Sequence, residues 1–92
     1  MTSRSATVAN SLGLHARAAA RFVHLASGFQ SQIHVTRGSR TMDGKSIMGI
    51  LLLAAPAGAQ LTVTADGQDE LAAVEALCSF IETGFGEDTC SA

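Results

Sequence analysis

Hydrophobic and polar residues alternate in three short stretches of the chain, and elsewhere apolar residues recur at the spacing of one helix face. Alternation is typical of a half-buried strand, and recurrence every three or four residues is typical of an amphipathic helix. Strands are predicted at 6–9, 32–36 and 60–65. A turn at 37–39 predicts that a further short strand, 40–42, completes a hairpin. Helices are predicted at 16–27, from 46 to about 52 and from 69 to about 85.

Several residues mark the ends of these helices. Ser46 and Asp69 are good N-caps, because short polar side chains accept hydrogen bonds from the free N–H groups of a first turn. Gly28 follows the first helix, where glycine commonly adopts the left-handed conformation that ends a helix, and Phe29 is expected to pack beneath that end. The inward side chains are expected to be Ala6, Val8, Leu61, Val63 and Ala65 from the strands, and Ala19, Phe22, Val23, Ala26, Leu71, Val74, Cys78, Ile81 and Phe85 from the helices.

The predicted element order, β-α-β-β-α-β-α, indicates the fold class. Helices with one apolar face each bury that face against one side of a sheet. We therefore expect an α+β fold, a two-layer open-faced sandwich with a four-stranded, mainly antiparallel sheet and three helices on one face. The 92 residues suffice for one small domain. We expect a single domain over 1–92, with its core at about 5–85 and a disordered tail at 86–92.

Composition and charge exclude several classes of function. Hydrophobic residues make up 47% of the chain and charged residues 15%, which is enough apolar material for a core. The net charge is −2 and the six Lys and Arg residues are scattered, so no nucleic-acid footprint is present. The first twelve residues lack the apolar run of a signal peptide, and the longest apolar run, 50–55, is too short to cross a bilayer. We expect a cytoplasmic, monomeric protein that neither binds nucleic acid nor inserts into a membrane.

The two cysteines, Cys78 and Cys90, have no metal-ligand spacing, and no histidine lies near them in a finger-like pattern. We expect reduced thiols and no metal site. Cys78 falls on the apolar face of the last helix and is expected in the core, whereas Cys90 lies in the C-terminal tail.

The segment 13–20, Gly-Leu-His-Ala-Arg-Ala-Ala-Ala, carries the clearest chemistry. It places His15 where a loop turns into a helix and Arg17 two residues later. The free N–H groups and the dipole of a helix N-terminus favour an anion, and an arginine adds a charge-assisted contact to the same oxygens. Because part of an imidazole is uncharged near neutral pH, it is also a usable nucleophile.

This segment and a second one, 44–49, resemble the HPr family, the histidine-containing phosphocarriers of the phosphoenolpyruvate-dependent sugar phosphotransferase system. The resemblance covers roughly residues 5–85 and includes element order and spacing. It implies that His15 accepts a phosphoryl group on Nδ1 (a pros-phosphohistidine) from phosphorylated enzyme I and passes it to IIA domains of sugar permeases. It also implies a carrier that is not a turnover enzyme and needs no cofactor.

Within that resemblance, Arg17 is expected to neutralise the phosphoryl oxygens during transfer, and the amides of Ala16 and Arg17 to hold the resting anion. The family usually has proline where this chain has Ala18. Alanine is a good helix former, so we expect the helix to survive with a slightly less rigid loop. A lone histidine at a helix start is more often a cap or surface residue. The joint motif outweighs that interpretation for His15, whereas His34 is expected to be solvated.

The second segment, 44–49, resembles the site that a dedicated kinase/phosphorylase modifies on serine in many family members, which here is Ser46. Phosphate on a helix N-cap is compatible with the helix, but its charge would repel acidic partners. Ser46 is equally explained as a simple cap. The Gly-Lys-Ser tripeptide also resembles a P-loop, but that motif requires a glycine where Ser39 stands. The predicted docking face consists of Ala20, His24, Ile47, Met48 and Leu51.

Two other functions remain open at this point. A carrier of the nitrogen-linked branch would serve a regulatory IIA protein instead of a permease. A non-catalytic module would signal through Ser46 while His15 is idle, which the intact 15–17 triplet argues against. A small-ligand or RNA-binding domain is disfavoured, because the chain has four Phe and no Trp or Tyr to form an aromatic platform.

Overall fold

The computed structural model describes residues 1–86. The elements, in chain order, are β1 Thr2–Thr7, α1 Ala16–Ser27, β2 Gln32–Arg37, β3 Arg40–Asp43, α2 Ile47–Leu52, β4 Gln60–Asp66 and α3 Glu70–Glu82. The predicted order of strands and helices is therefore confirmed.

The four strands form one sheet in the order β1-β4-β2-β3, and every neighbouring pair is antiparallel. Apolar residues lie opposite apolar residues, as in the pairs of Ala6 with Leu61 and Val35 with Val63. The other face carries hydroxyl groups that lie within hydrogen-bond distance of one another across strands, in the pairs Ser3 with Thr64, Ser5 with Thr62 and Thr36 with Thr41. One face is thus apolar and covered by helices, and the other is open and polar.

The core lies between the apolar sheet face and the three helices. Helix α1 packs against α2 and α3, and α3 packs against β1 and β4. Phe80 and Phe85 meet edge to face, with ring centroids 6.0 Å apart. The largest fully buried side chains are Phe22, Phe85, Ile33, Ile50, Leu53, Leu61, Leu77, Ile81, Val8, Val35, Val63 and Val74.

Several local predictions were wrong. The last helix was predicted to reach about residue 85, but α3 ends at Glu82, and Phe85 has φ +59°, a left-handed conformation outside the helix. Strand β1 begins at Thr2, well before residue 6, because Thr2 to Thr7 pair with β4 through alternating polar positions on the open face. Gly28 has φ −75°, so α1 ends in a right-handed conformation, and the Gly28 N–H bonds the Leu25 carbonyl oxygen at 3.1 Å. Leu71 is 66% exposed. It lies about 90° from the centre of the buried stripe of α3 at 3.6 residues per turn, and Leu77 fills that stripe instead.

Asp69 was predicted to cap α3, but its carboxylate makes no hydrogen bond to that helix. It instead accepts hydrogen bonds from the Gln30 N–H at 2.8 Å, the Ser31 N–H at 2.9 Å and the Ser31 hydroxyl. These bonds connect the start of α3 to the loop between α1 and β2, so Asp69 links two elements that are distant in sequence.

This network predicts a stability that depends on acid pH. The hydrogen bonds from Ser31 and Gln30 hold the pKa of Asp69 below its ordinary value of 3.8, and bonds from the Thr2 hydroxyl and the Met1 ammonium lower the pKa of Glu70 to about 2. Because both pKa values are lower in the folded state, both carboxylates stabilise the fold above about pH 5. Their contribution is lost as the pH falls through the folded-state values.

We therefore expect the urea midpoint of the wild-type protein to fall steadily from pH 5 to pH 2.5. Asp69→Asn is expected to have a lower midpoint than wild type at pH 7 and a smaller fall on acidification, because its side chain has no charge to lose. Glu75→Gln, on the exposed surface of α3, is the matched control. An Asp69→Asn profile parallel to that of wild type would show that Asp69 does not cause the acid sensitivity.

Candidate functional site

His15 is the N-cap of α1, as the sequence predicted. Its backbone is extended, with φ −88° and ψ −179°, and its Nδ1 accepts a hydrogen bond from the Arg17 N–H at 3.2 Å. The ring is half-buried. An Nδ1 that accepts a hydrogen bond carries a lone pair, so the unprotonated nitrogen of the ring is the one that faces the helix N-terminus.

The loop before His15 is held at both ends. Gly13 has φ +70°, a left-handed conformation that favours glycine. The Leu14 N–H bonds the Ala55 carbonyl oxygen at 2.8 Å, and the buried Asn10 side-chain amide donates to the Gly13 carbonyl oxygen at 2.8 Å. Leu14 is itself buried in the core. The loop that precedes His15 is therefore held by hydrogen bonds to its backbone and by the burial of the Leu14 side chain.

The first turn of α1 has two different faces. Ala16 and Arg17 are exposed, whereas Ala18 and Ala19 are buried. The helix begins at Ala16 without the proline that the family usually has at position 18, as predicted. No acidic residue lies in the first turn, and within residues 1–86 the Arg17 guanidinium makes no ion pair. The N-terminus of α1 therefore keeps an uncompensated positive charge beside Nδ1 of His15.

Ser46 is the N-cap of α2. Its Oγ accepts a hydrogen bond from the Gly49 N–H at 3.1 Å, and its backbone is extended. The segment before it is also ordered by hydrogen bonds: Asp43 accepts from the Lys45 N–H at 2.9 Å, and the Lys45 ammonium donates to the Phe29 carbonyl oxygen at 2.7 Å. The predicted capping role of Ser46 is confirmed.

The predicted docking residues lie on α1 and α2, which pack against each other. Ile47 and Met48 are 44% and 71% exposed, and Leu51 is half-buried. Ala20 and His24 are exposed on α1. Sequence reasoning missed two exposed leucines, Leu12 in the loop and Leu52 on α2. Leu52 lies between two other leucines in the unbroken apolar run 50–55, so the pattern gave no sign of which member faces solvent.

His34 and Cys78 lie where they were expected. His34 is exposed on β2, opposite Asp43 and Thr64. Cys78 is buried, and burial raises the pKa of its thiol. Cys90 lies outside the described residues, as does the predicted tail apart from Gly86. Residues 1–86 contain no cluster of potential metal ligands and no helix long and apolar enough to span a membrane.

Known proteins resemble this chain over nearly its whole length. Residues 2–83 match the family described as PTS HPr component phosphorylation site. The phosphocarrier protein HPr of Cupriavidus necator is 47% identical over 95% of this chain and 98% of its own. The phosphocarrier protein NPr of Shewanella violacea is 38% identical over 91% of this chain and 92% of its own.

The fold agrees with the sequence comparison. The crystal structure of HPr-C-His from Thermoanaerobacter tengcongensis has a TM-score of 0.89 and 43% sequence identity, and the match covers 96% of this chain and 99% of that one. The resemblance that segments 13–20 and 44–49 suggested is thus confirmed along the whole domain. The chain belongs to the HPr family of phosphocarrier proteins of the phosphotransferase system.

Proposed function

We propose that this protein carries the phosphoryl group on Nδ1 of His15, accepting it from phosphorylated enzyme I and passing it to IIA domains of sugar permeases. The observation that carries this proposal is the hydrogen bond from the Arg17 N–H to Nδ1. It supports Nδ1 as the nucleophile, because this nitrogen carries a lone pair and lies at the N-terminus of α1. A phosphoryl group bound there lies beside the free N–H groups of the first turn.

In the transfer, the lone pair of Nδ1 forms a bond to phosphorus while the bond between phosphorus and its donor nitrogen on enzyme I breaks. The ring keeps its proton on Nε2, and the group arrives with its three oxygens. The amides of Ala16 and Arg17 then hold those oxygens, and the Arg17 guanidinium offsets their charge during in-line transfer. Because Arg17 is exposed, it can contact the group while it is shared with a partner protein.

The same geometry suits a carrier better than a turnover enzyme. The site lies at a helix end where His15 is half-buried and the next two residues, Ala16 and Arg17, are exposed, so a partner protein can reach the ring. A carrier must release the group as readily as it accepts it, so interactions made during transfer help more than tight binding of the resting state. We therefore propose a cytoplasmic monomer that needs no cofactor and meets its partners transiently.

The proposal is tested by incubating the protein with phosphoenolpyruvate, Mg²⁺ and enzyme I from a close relative, followed by intact mass measurement. We expect one added phosphoryl group that is stable in alkali, lost in acid and located on Nδ1 of His15 by ³¹P and ¹⁵N NMR. With an active enzyme I, verified on its own HPr, an unmodified mass would contradict the proposal. It would favour the non-catalytic module that acts through Ser46.

We assign the sugar branch ahead of the nitrogen branch, because identity to the HPr of Cupriavidus necator exceeds identity to the NPr of Shewanella violacea. The phosphorylated protein offered an equimolar mixture of a sugar IIA and a nitrogen-branch IIA is expected to label the sugar IIA faster. Preferential labelling of the nitrogen-branch protein would reverse the assignment.

We further propose that phosphorylation of Ser46 by an HPr kinase/phosphorylase regulates docking. The cap geometry supports this, because a phosphate at Oγ lies at the N-terminus of α2, where its charge is tolerated. It also lies next to Ile47 and Met48, two exposed apolar side chains of the predicted docking face. A doubly charged group at the edge of such a surface raises the cost of burying it and repels acidic partners.

Ser46→Asp is expected to slow phosphoryl transfer from enzyme I by roughly tenfold, equivalent to about 1.4 kcal/mol. Ser46→Asn is the matched control, because asparagine has the same shape as aspartate and is an equally good N-cap, but it has no charge. Both variants are expected to have wild-type thermal stability. Equal rates for the aspartate and asparagine variants would show that charge at this position does not control docking.

A further inference from the structure

Two arginines lie opposite each other at the turn of the β2–β3 hairpin. Arg37 and Arg40 are cross-strand partners, separated along the chain by Gly38 and Ser39. Both side chains reach over the end of α2. Nη1 of Arg37 donates to the Leu53 carbonyl oxygen at 3.0 Å, and Nη1 of Arg40 donates to the Leu52 carbonyl oxygen at 2.7 Å. The two positive charges are therefore held in one place by the fold.

Within residues 1–86 these charges have no acidic partner, since no carboxylate lies within ion-pair distance of Arg37 or Arg40. Like charges directly opposite each other on adjacent strands destabilise a sheet. The carbonyl end of α2 supplies at most about half a negative charge, less than the two guanidiniums carry. Each guanidinium has five N–H donors, and the contacts with α2 use only one nitrogen of each. Both guanidiniums therefore keep positive charge and N–H donors that can bind an anion.

A groove of about 660 Å³ lies in front of the two guanidiniums. Two of its other lining residues, Ser39 and Gln60, carry a hydroxyl and an amide, and three more, Leu53, Ala54 and Ala59, are aliphatic. This volume falls in the range of sites for small organic ligands. None of the residues assigned to phosphoryl transfer or docking lines it, so it is separate from the site at His15.

We propose that this groove binds a small phosphate monoester, the phosphoryl group lying between Arg37 and Arg40. A dianion matches the two uncompensated charges, and guanidiniums bind phosphate oxygens through paired N–H donors. The hydroxylated carbon skeleton of the ligand would extend toward Ser39 and Gln60. The same guanidiniums donate to the carbonyl oxygens at the end of α2. A ligand bound to them would therefore also change the contacts at the end of the helix that bears Ile47 and Met48.

The test is a titration of the ¹⁵N-labelled protein, at constant ionic strength, with glycerol 3-phosphate, inorganic phosphate and glycerol. Glycerol 3-phosphate is expected to shift the amide signals of Gly38, Ser39 and Gln60 with a saturable, millimolar dissociation constant. Inorganic phosphate is expected to shift the same signals with weaker affinity, and glycerol to shift none. Arg40→Gln is expected to weaken binding at least tenfold, whereas Arg4→Gln on β1 leaves it unchanged.

Because Arg40 also satisfies a carbonyl of α2, the folding of Arg40→Gln is checked by its amide spectrum. Arg40→Lys keeps a donor for that carbonyl but lacks the paired N–H geometry, and it is expected to bind several-fold more weakly than wild type. The proposal is overturned if phosphate esters shift only the amides of Ala16 and Arg17, which would locate the anion at the N-terminus of α1. It is equally overturned if the lysine variant binds as well as wild type.

Discussion

Replacing His15 by alanine is expected to abolish phosphoryl acceptance, with no acid-labile phosphate detected by intact mass under conditions that fully modify the wild-type protein. The reason is that, in the proposed transfer, Nδ1 is the atom to which phosphorus bonds, and alanine offers no nucleophile in its place. The expected loss is therefore complete, not partial, and is measured as the labelled fraction against time.

His15 also caps α1 through its bond with the Arg17 N–H, so the alanine variant loses a structural contact as well. Loss of an N-cap costs about 0.5–2 kcal/mol, which shifts a urea midpoint without unfolding the protein at rest. His15→Asn separates the two roles. Asparagine is a good N-cap and is expected to restore most of the stability, but its amide is no nucleophile, so phosphoryl acceptance stays absent.

His24 and His34 provide controls for the chemistry, because both are exposed and neither lies at a helix N-terminus. His34→Ala is expected to accept phosphate at the wild-type rate. His24→Ala is expected to accept the same total amount, and a slower rate would reflect the predicted docking face on α1. Phosphate retained by His15→Ala but lost in either of the other variants would assign the nucleophile to a different histidine.

The geometry of the candidate site could be predicted from the sequence because the interactions that form it are local. Gly13, His15 and Arg17 lie within five consecutive positions, and the helix that begins after them follows from apolar spacing alone. The same holds for Ser46, which precedes its helix directly and bonds the N–H three residues later. A capping interaction of this kind is decided by neighbours in sequence, so a reading of the chain can locate it.

Contacts between distant segments could not be predicted in this way. Asp69 has the position of a cap, but it bonds Gln30 and Ser31, about forty positions earlier, and only the packed fold brings them together. From the sequence, Arg37 was assigned only to a hairpin turn and Arg40 only to the short strand that follows it. The contacts of both arginines with the end of α2 depend on how the hairpin packs beside that helix. A local sequence pattern does not predict this packing.

Gly13→Ala is expected to cost about 2–5 kcal/mol of unfolding free energy and to slow phosphoryl acceptance at least tenfold. A Cβ at this position would lie 2.5 Å from the Ala55 carbonyl oxygen and 2.9 Å from the Pro56 Cα. Both atoms belong to the backbone, so neither can turn aside as a flexible side chain would. The loop must therefore move, and with it the Leu14 bond to Ala55 that precedes His15.

Gly38→Ala is the matched control for backbone strain. Gly38 has φ +59°, close to the φ +70° of Gly13, but a Cβ there would meet nothing within 4 Å. The strain of a left-handed alanine alone is about 1–2 kcal/mol, so Gly38→Ala is expected to lose that amount and to accept phosphate at the wild-type rate. The difference between the two variants measures the cost of the close approach at Gly13.

If the loop positions His15, Gly13→Ala is expected to lower both the free energy of unfolding and the rate of phosphoryl acceptance. Because the Leu14 N–H and the Ala55 carbonyl oxygen bond at 2.8 Å, a displaced loop shifts the backbone one residue before the nucleophile. Amide exchange at Leu14 is expected to accelerate in Gly13→Ala and not in Gly38→Ala. Wild-type phosphorylation in a Gly13→Ala protein whose Leu14 amide has lost protection would show that acceptance tolerates a mobile loop, and that Nδ1 is positioned by the α1 N-terminus alone.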